Sequence, residues 1–337
     1  AFFIPWPIPE MHDTSDSPIT LRRVRGFHVG GARRRVDGFA VETRARVPGD
    51  APVTVDMNGD HMVGQLYATH YQQARRAYAL PVLLWHGGGL TGACWDETPD
   101  GRPGWLEYFL RAGCDVVVSD AFERGRASFP ACPQVLPNPP EHRSLDAVWH
   151  HFRLGAEGAF PSSTSTLDLR RAAYAGSEFP VEAIEQFARQ FVARWSGTEE
   201  YALQAYAALL REVGPCVVIG HSQGAAYALQ CAQRHPDLVR AVVAIEPPIA
   251  HDETPSGLQA PHLFVWGDFI EGKSRTWTRY RSAAERYRQA LGAGGCVADL
   301  LDLPALGIKG NSHMLIMDRN SLSIAQRVHA WLTRIPL

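Results

Sequence analysis

Residues 216–229 read Cys216-Val-Val-Ile-Gly220-His-Ser222-Gln-Gly224-Ala-Ala-Tyr-Ala-Leu229. The four apolar positions that open this stretch predict a strand buried on both faces. The small residues from Ala225 onward predict a helix packed closely against it. Only a very tight turn fits between the two, and its apex is Ser222. A serine there takes a strained backbone conformation, and side chains at Gly220 or Gly224 would collide with neighbouring chain. Strand, Gly-x-Ser-x-Gly turn and helix form the nucleophile-elbow pattern, which presents a serine hydroxyl at the edge of a sheet. The helix N-terminus then points its amides and positive dipole end at any negative charge that develops nearby.

Outward from this turn the same grammar repeats. Pro81–Trp85, Cys114–Ser119, Ala241–Ile245, His262–Trp266 and Cys296–Leu301 are short, continuously apolar runs separated by helical periods. Such runs predict parallel strands covered by helices on both sides. Residues 21–69 instead show alternating patches broken by Gly30-Gly31, Pro48-Gly49 and Asn58-Gly59, the pattern of antiparallel strands and hairpins. The expected fold is α/β, a mostly parallel central sheet with antiparallel N-terminal strands and helices on both faces. Residues 121–215 far exceed the dozen or so that one crossover needs. Their prolines (Pro130, Pro133, Pro137, Pro139, Pro140) and helix-like segments around Ser144–Phe152 and Val181–Trp195 predict a cap, about 128–205, inserted between the fourth and fifth strands of the sheet. Residues 1–20, with Pro5, Pro7 and Pro9, predict an extended arm. Residues 21–337 then form one catalytic domain with its cap.

Whole-chain properties exclude several classes. With 337 residues and 45% hydrophobic content the chain has ample material for a core. The formal charge is −2 and no basic run exceeds Arg33-Arg34-Arg35, which is no footprint for nucleic acid. A small, largely neutral molecule is the expected partner. No apolar stretch approaches the roughly 20 residues that span a bilayer. A first residue of Ala1 fits removal of an export signal or a trimmed chain. None of the six cysteines has the spacing of a zinc site. Cys114, Cys216 and Cys296 open strand-like runs as buried thiols would, and only Cys94 and Cys132 sit in loop-like sequence suited to a bridge. Neither metal nor cofactor is expected.

The remaining chemistry follows from what an activated serine requires. An attacked carbonyl oxygen becomes negative, and amide donors must await it. His86-Gly87-Gly88-Gly89 follows the Pro81–Trp85 run, so Gly88 and Gln223 are the expected donors, with Gly89 the alternative to Gly88. The expected triad order is serine, acid, histidine. His313, in the loop Gly307-Ile-Lys-Gly-Asn-Ser-His313-Met-Leu after the last strand-like run, is the expected base. The commonest slot for the acid, three residues past Gly267, holds Ile270. Two carboxylates remain open: Asp268, one residue beyond that glycine, and the preferred Glu246, presented where the Ala241–Ile245 run ends. The aromatic clusters Trp149-His150-His151-Phe152 and Phe187, Phe191, Trp195 read as core first and pocket lining second.

These pieces together resemble the α/β-hydrolase superfamily, and more narrowly a small group of bacterial esterases typified by an Alcaligenes enzyme. The resemblance spans most of residues 60–335. It rests on the elbow, His86-Gly87 with Leu90-Thr91-Gly92, Thr98-Pro99-Asp100-Gly101-Arg102 with Gly104-Trp105, Gly125-Arg126, Glu246-Pro247, and Leu303–Gly307 with Gly310-Asn-Ser-His-Met314. It implies a glutamate triad acid, which falls on Glu246, a small to medium ester as substrate, dimers, and a secreted or periplasmic location, with a cytoplasmic one as alternative. The group carries adjacent cysteines where this chain has Gly88-Gly89. Lactone, thioester or amide hydrolysis, a lyase reaction, and a non-catalytic binding protein are the alternatives on the same scaffold.

Overall fold

The computed structural model describes residues 17–129, 134–249 and 258–335. The arm expected over 1–20 thus lies almost wholly outside the described residues, as does Cys132. The strands are β1 (Leu21–Val36), β2 (Glu42–Arg44), β3 (Val53–Val55), β4 (Gly59–Gln73), β5 (Val82–Trp85), β6 (Val116–Asp120), β7 (Cys216–His221), β8 (Val239–Ile245), β9 (His262–Trp266) and β10 (Ala298–Asp302). The helices are α1 (Trp105–Arg111), α2 (Leu145–His151), α3 (Thr166–Ala172), α4 (Ile184–Ala188), α5 (Glu199–Val213), α6 (Gln223–Arg234), α7 (Arg275–Ala293) and α8 (Ser321–Leu332).

Eight strands form one sheet in the order β1-β4-β6-β5-β7-β8-β9-β10, while β2 and β3 form a separate hairpin. The β1–β4 and β4–β6 pairs are antiparallel, and every pair from β6 to β10 is parallel. Alternate residues of each central strand feed opposite cores, as a sheet covered on both faces requires. Val82 and Leu84 of β5 join Val217 and Ile219 of β7 under α1 and α8. Leu83, Trp85 and Val218 face the other way, towards α5, α6 and α7.

Two expectations change in detail. Gly30-Gly31 does not end a strand: β1 runs through both glycines, each at φ +75°. A side chain at Gly30 would meet the Ala205 backbone at 3.1 Å, so its absence lets α5 lie against the sheet. The helix expected over Val181–Trp195 is broken into a 3-10 turn at 181–183 and the short α4. Beyond α4 the backbone is drawn into other bonds, Val192 N–H to Gly89 O at 3.0 Å and Glu141 with Arg194 in both directions. Residues 199–205, at the end of the expected insertion, belong to α5.

Candidate active site

The elbow obeys the sterics read from its glycines. Ser222 sits between β7 and α6 at φ 53°, ψ −121°, a conformation that costs on the order of 1–3 kcal/mol. A Cβ on Gly220 would lie 2.5 Å from Gly224 O, and one on Gly224 would run into Trp85 O. Gln223 opens α6, so its amide is one of the donors that a helix leaves unused in its first turn. Across from it, a Cβ on Gly88 would come within 3.2 Å of Gln223 Oε1, and one on Gly87 within 3.2 Å of Ser222 Cβ. The glycine loop and the elbow are therefore in contact. His86 braces that loop: its Nδ1–H donates to Gly87 O at 2.8 Å and its Nε2 accepts from Ala121 N–H at 3.0 Å. Burial holds this imidazole neutral, pushed down to about 4.

Ser222, His313, Gly88 and Gln223 all line one cavity of about 360 Å³. His313 is fully buried, its Nδ1 2.5 Å from Glu246 Oε2, and its Nε2 has no hydrogen-bond partner. Its backbone is pinned by His313 N–H to Phe152 O and by His221 Nε2–H to His313 O. The Trp277 ring covers it, with centroids 4.0 Å apart. Burial pushes the His313 imidazole well below its ordinary range, and the neighbouring His221 and Arg153 push the same way. A neutral imidazole with a free Nε2 is the state in which a base accepts a proton.

Of the two open carboxylates, Glu246 is the one beside His313. It follows β8 at φ 48° and is fully buried. Oε1 accepts from Gly267 N–H at 2.8 Å, and Arg153 binds both oxygens, at 2.7 and 2.5 Å. The reach from β8 across β9 depends on Gly267, where a Cβ would stand 3.0 Å from Glu246 Oε1 and 2.9 Å from the carbonyls of Asn311 and Ser312. Asp268 has another task. Its Oδ2 accepts from Gly310 N–H at 2.9 Å and its Oδ1 from Phe269 N–H at 2.7 Å, which fastens the loop that carries His313. Ile270 is buried in the core on the far face of the sheet.

Several motifs that carried the resemblance brace this loop. Arg102 donates to the carbonyls of Met317, Asp318 and Arg319 while Asp100 holds its guanidinium. Asp318 accepts from Ser312 N–H, Ser312 Oγ and Asn311 Nδ2. Asp120 ties Gly92 to Arg126. Cys94 is a buried free thiol. Among the described residues no His, Cys, Asp and Glu cluster is arranged to hold a metal, and no helix is long and apolar enough to cross a membrane.

Three features had no counterpart in the sequence reading. Arg153, at φ 57° after α2, supplies the counter-charge of Glu246. Trp277 covers the imidazole, and Arg143 and Arg194 line the cavity. No local pattern marks any of them. The aromatic clusters divide: His151 and Phe152 line the cavity, whereas Trp149, Phe187 and Trp195 are core.

A serine elbow at the carboxyl edge of a doubly covered parallel sheet, with a late histidine on a carboxylate, defines an α/β hydrolase. Residues 80–294 match the family described as alpha/beta hydrolase fold, and the chain belongs to it. It is similar over 94% of its length to a structure described as that of a novel bacterial esterase, at 31% identity and a TM-score of 0.80, covering 97% of that chain. It is also 26% identical over 328 residues to a fungal protein (Fungal sp., strain ATCC 74256) named "Probable secreted lipase phiG", covering 80% of this chain and 86% of that one.

Proposed function

We propose that this protein is a serine carboxylic ester hydrolase working through a Ser222–His313–Glu246 triad and an acyl-enzyme. It is a hydrolase of the esterase and lipase type, as its named relatives are. The reading rests above all on His313, which lines the cavity that Ser222 also lines, with Nδ1 held by Glu246 and Nε2 without a hydrogen-bond partner. In the first step His313 Nε2 takes the Ser222 proton as Oγ attacks the ester carbonyl. The carbonyl oxygen becomes an oxyanion facing the amides of Gly88 and Gln223. His313, now an imidazolium between Glu246 and the substrate, returns the proton to the departing alcohol. A water, deprotonated by the same nitrogen, then releases the acid and regenerates Ser222. Arg153 grips both Glu246 oxygens, which holds the carboxylate against His313 Nδ1 where the imidazolium forms. A small to medium ester suits a cavity of this volume, and export from the cytoplasm is the proposed location, since one relative is named as secreted.

The test is active-site labelling. Native protein treated with a small fluorophosphonate is expected to carry one adduct, on Ser222 by peptide mass spectrometry, and Ser222→Ala none. A folded protein that hydrolyses no p-nitrophenyl ester and takes no adduct would leave a non-catalytic binding protein as the reading.

A further inference from the structure

Whole-chain charge points to a neutral partner, yet the cavity wall beside the glycine loop is cationic. Arg143 and Arg194 both line the cavity that holds Ser222 and His313. Arg143 Nε would stand 3.0 Å from a Cβ on Gly89, and Arg194 Nη1 3.4 Å from a Cβ on Gly88. The two guanidiniums thus lie against consecutive residues of the loop proposed to receive the oxyanion.

Among the described residues, neither is closed on a carboxylate as a structural arginine would be. Arg143 Nε is buried with no hydrogen-bond partner, and its guanidinium stacks on Phe152 at 5.4 Å. Arg194 has one carboxylate in range among the described residues, the largely exposed Glu141, at 3.5 Å, and its Nε is also buried without a hydrogen bond. Among the described residues Glu199, exposed at the start of α5, is the one carboxylate on the cavity lining. Arg124 and Arg102, by contrast, close on Glu123 and Asp100 at 2.7 and 2.8 Å. Two like charges held together on a partly desolvated wall, with donors unused, are costly unless an anion arrives. Burial and Arg194 pull the Arg143 guanidinium down to about 10, so it is still a cation at neutral pH.

Building on the esterase reading, we propose that the substrate is an ester carrying an anionic group, a carboxylate or a group of like charge and size, that Arg143 and Arg194 bind beside the reacting carbonyl. Fork-shaped guanidinium donors suit a planar carboxylate, and such charge-assisted bonds are the stronger kind. The pair acts on binding and orientation and takes no part in proton transfer.

The experiment compares matched esters that differ only in charge. In the acyl arm p-nitrophenyl hemiglutarate is set against p-nitrophenyl glutaramate; in the alcohol arm 4-acetoxybenzoate is set against 4-acetoxybenzamide. Wild-type enzyme is expected to favour the anion in one arm by about ten- to a hundredfold in kcat/KM. That ratio should fall towards one in Arg143→Gln and Arg194→Gln, whatever either does to the common rate, and should shrink as salt rises. Equal or better turnover of the neutral esters in both arms overturns the proposal and leaves the esterase reading intact. An anion preference that both variants and high salt leave unchanged overturns the assignment to these arginines. No turnover of any of the four, with no fluorophosphonate adduct, is instead the failure of the esterase reading.

Discussion

Replacing Glu246 by glutamine exchanges one oxygen for an amide nitrogen and should abolish most of the activity. Four donors converge on the two carboxylate oxygens: Gly267 N–H and Arg153 Nη2 on Oε1, His313 Nδ1 and Arg153 Nη1 on Oε2. The NH₂ that Glu246→Gln introduces must therefore face donors on either side. Against Gly267 it opposes a backbone N–H that has no other protonation state. Against His313 it can be accommodated, because the imidazole can shift its proton to Nε2 and accept at Nδ1. That second arrangement is the cheaper one, and it leaves the base in the wrong tautomer. A loss of about 10⁴ in kcat follows by analogy with other triads, equivalent to about 5.5 kcal/mol of transition-state stabilisation. Arg153, buried and now without a full counter-charge, should cost up to about 3–5 kcal/mol of stability. Asp268→Asn removes a carboxylate that holds only backbone amides, so it should cost about 1–3 kcal/mol and less than tenfold in rate. The assay is p-nitrophenyl acetate hydrolysis on both variants, with urea unfolding to show that each is folded. Glu246→Gln keeping more than a tenth of wild-type kcat/KM, with Asp268→Asn falling a thousandfold, would refute the reasoning.

Other expectations follow from the same geometry. Gly267→Ala should destabilise by about 1–3 kcal/mol and lower kcat, because its methyl must displace either the Asn311–Ser312 carbonyls or the Glu246 carboxylate; wild-type turnover and midpoint would count against the close approach. Acid should weaken the fold between about pH 6.5 and 4. His86, His221 and His262 are pushed down to about 4 and His151 to about 3 by burial, so the unfolded chain takes up protons over that window while the folded one does not. Asp318, raised to about 7, and Asp96, raised to about 6, oppose this with the reverse sign, but histidines outnumber them; a Tm that stays flat from pH 7 to 4 would contradict it. The acid limb of kcat/KM should lie below pH 6.5, since His313 stays neutral there, and a half-maximal point at or above 6.5 on folded enzyme would mean a solvated base.

The amino-acid sequence by itself determined the sheet, the elbow and the order of the proposed catalytic groups. Those depend on neighbours: runs of β-branched residues, glycines on either side of Ser222, a histidine loop after the last strand. The proposed acid was legible only as a choice, because Glu246 and Asp268 stand at the ends of adjacent strands and either length of side chain looks sufficient until the strands are aligned. Tertiary structure sets Glu246 rather than Asp268 beside His313, through Gly267, whose missing side chain opens the path for Glu246, and through Asp268, whose oxygens are already taken by Gly310 and Phe269. Arg153 could not be read at all. It lies 93 positions from Glu246, in an insertion whose fold-back is set by its packing against the sheet rather than by any periodicity of its own. The same holds for Arg143 and Arg194, brought to the glycine loop when 192–194 bonds to Gly89 and Glu141 in place of extending a helix. Local sterics write strands and turns into short stretches of sequence, whereas the charge that a site presents is a sum over distant segments and exists only once they have met.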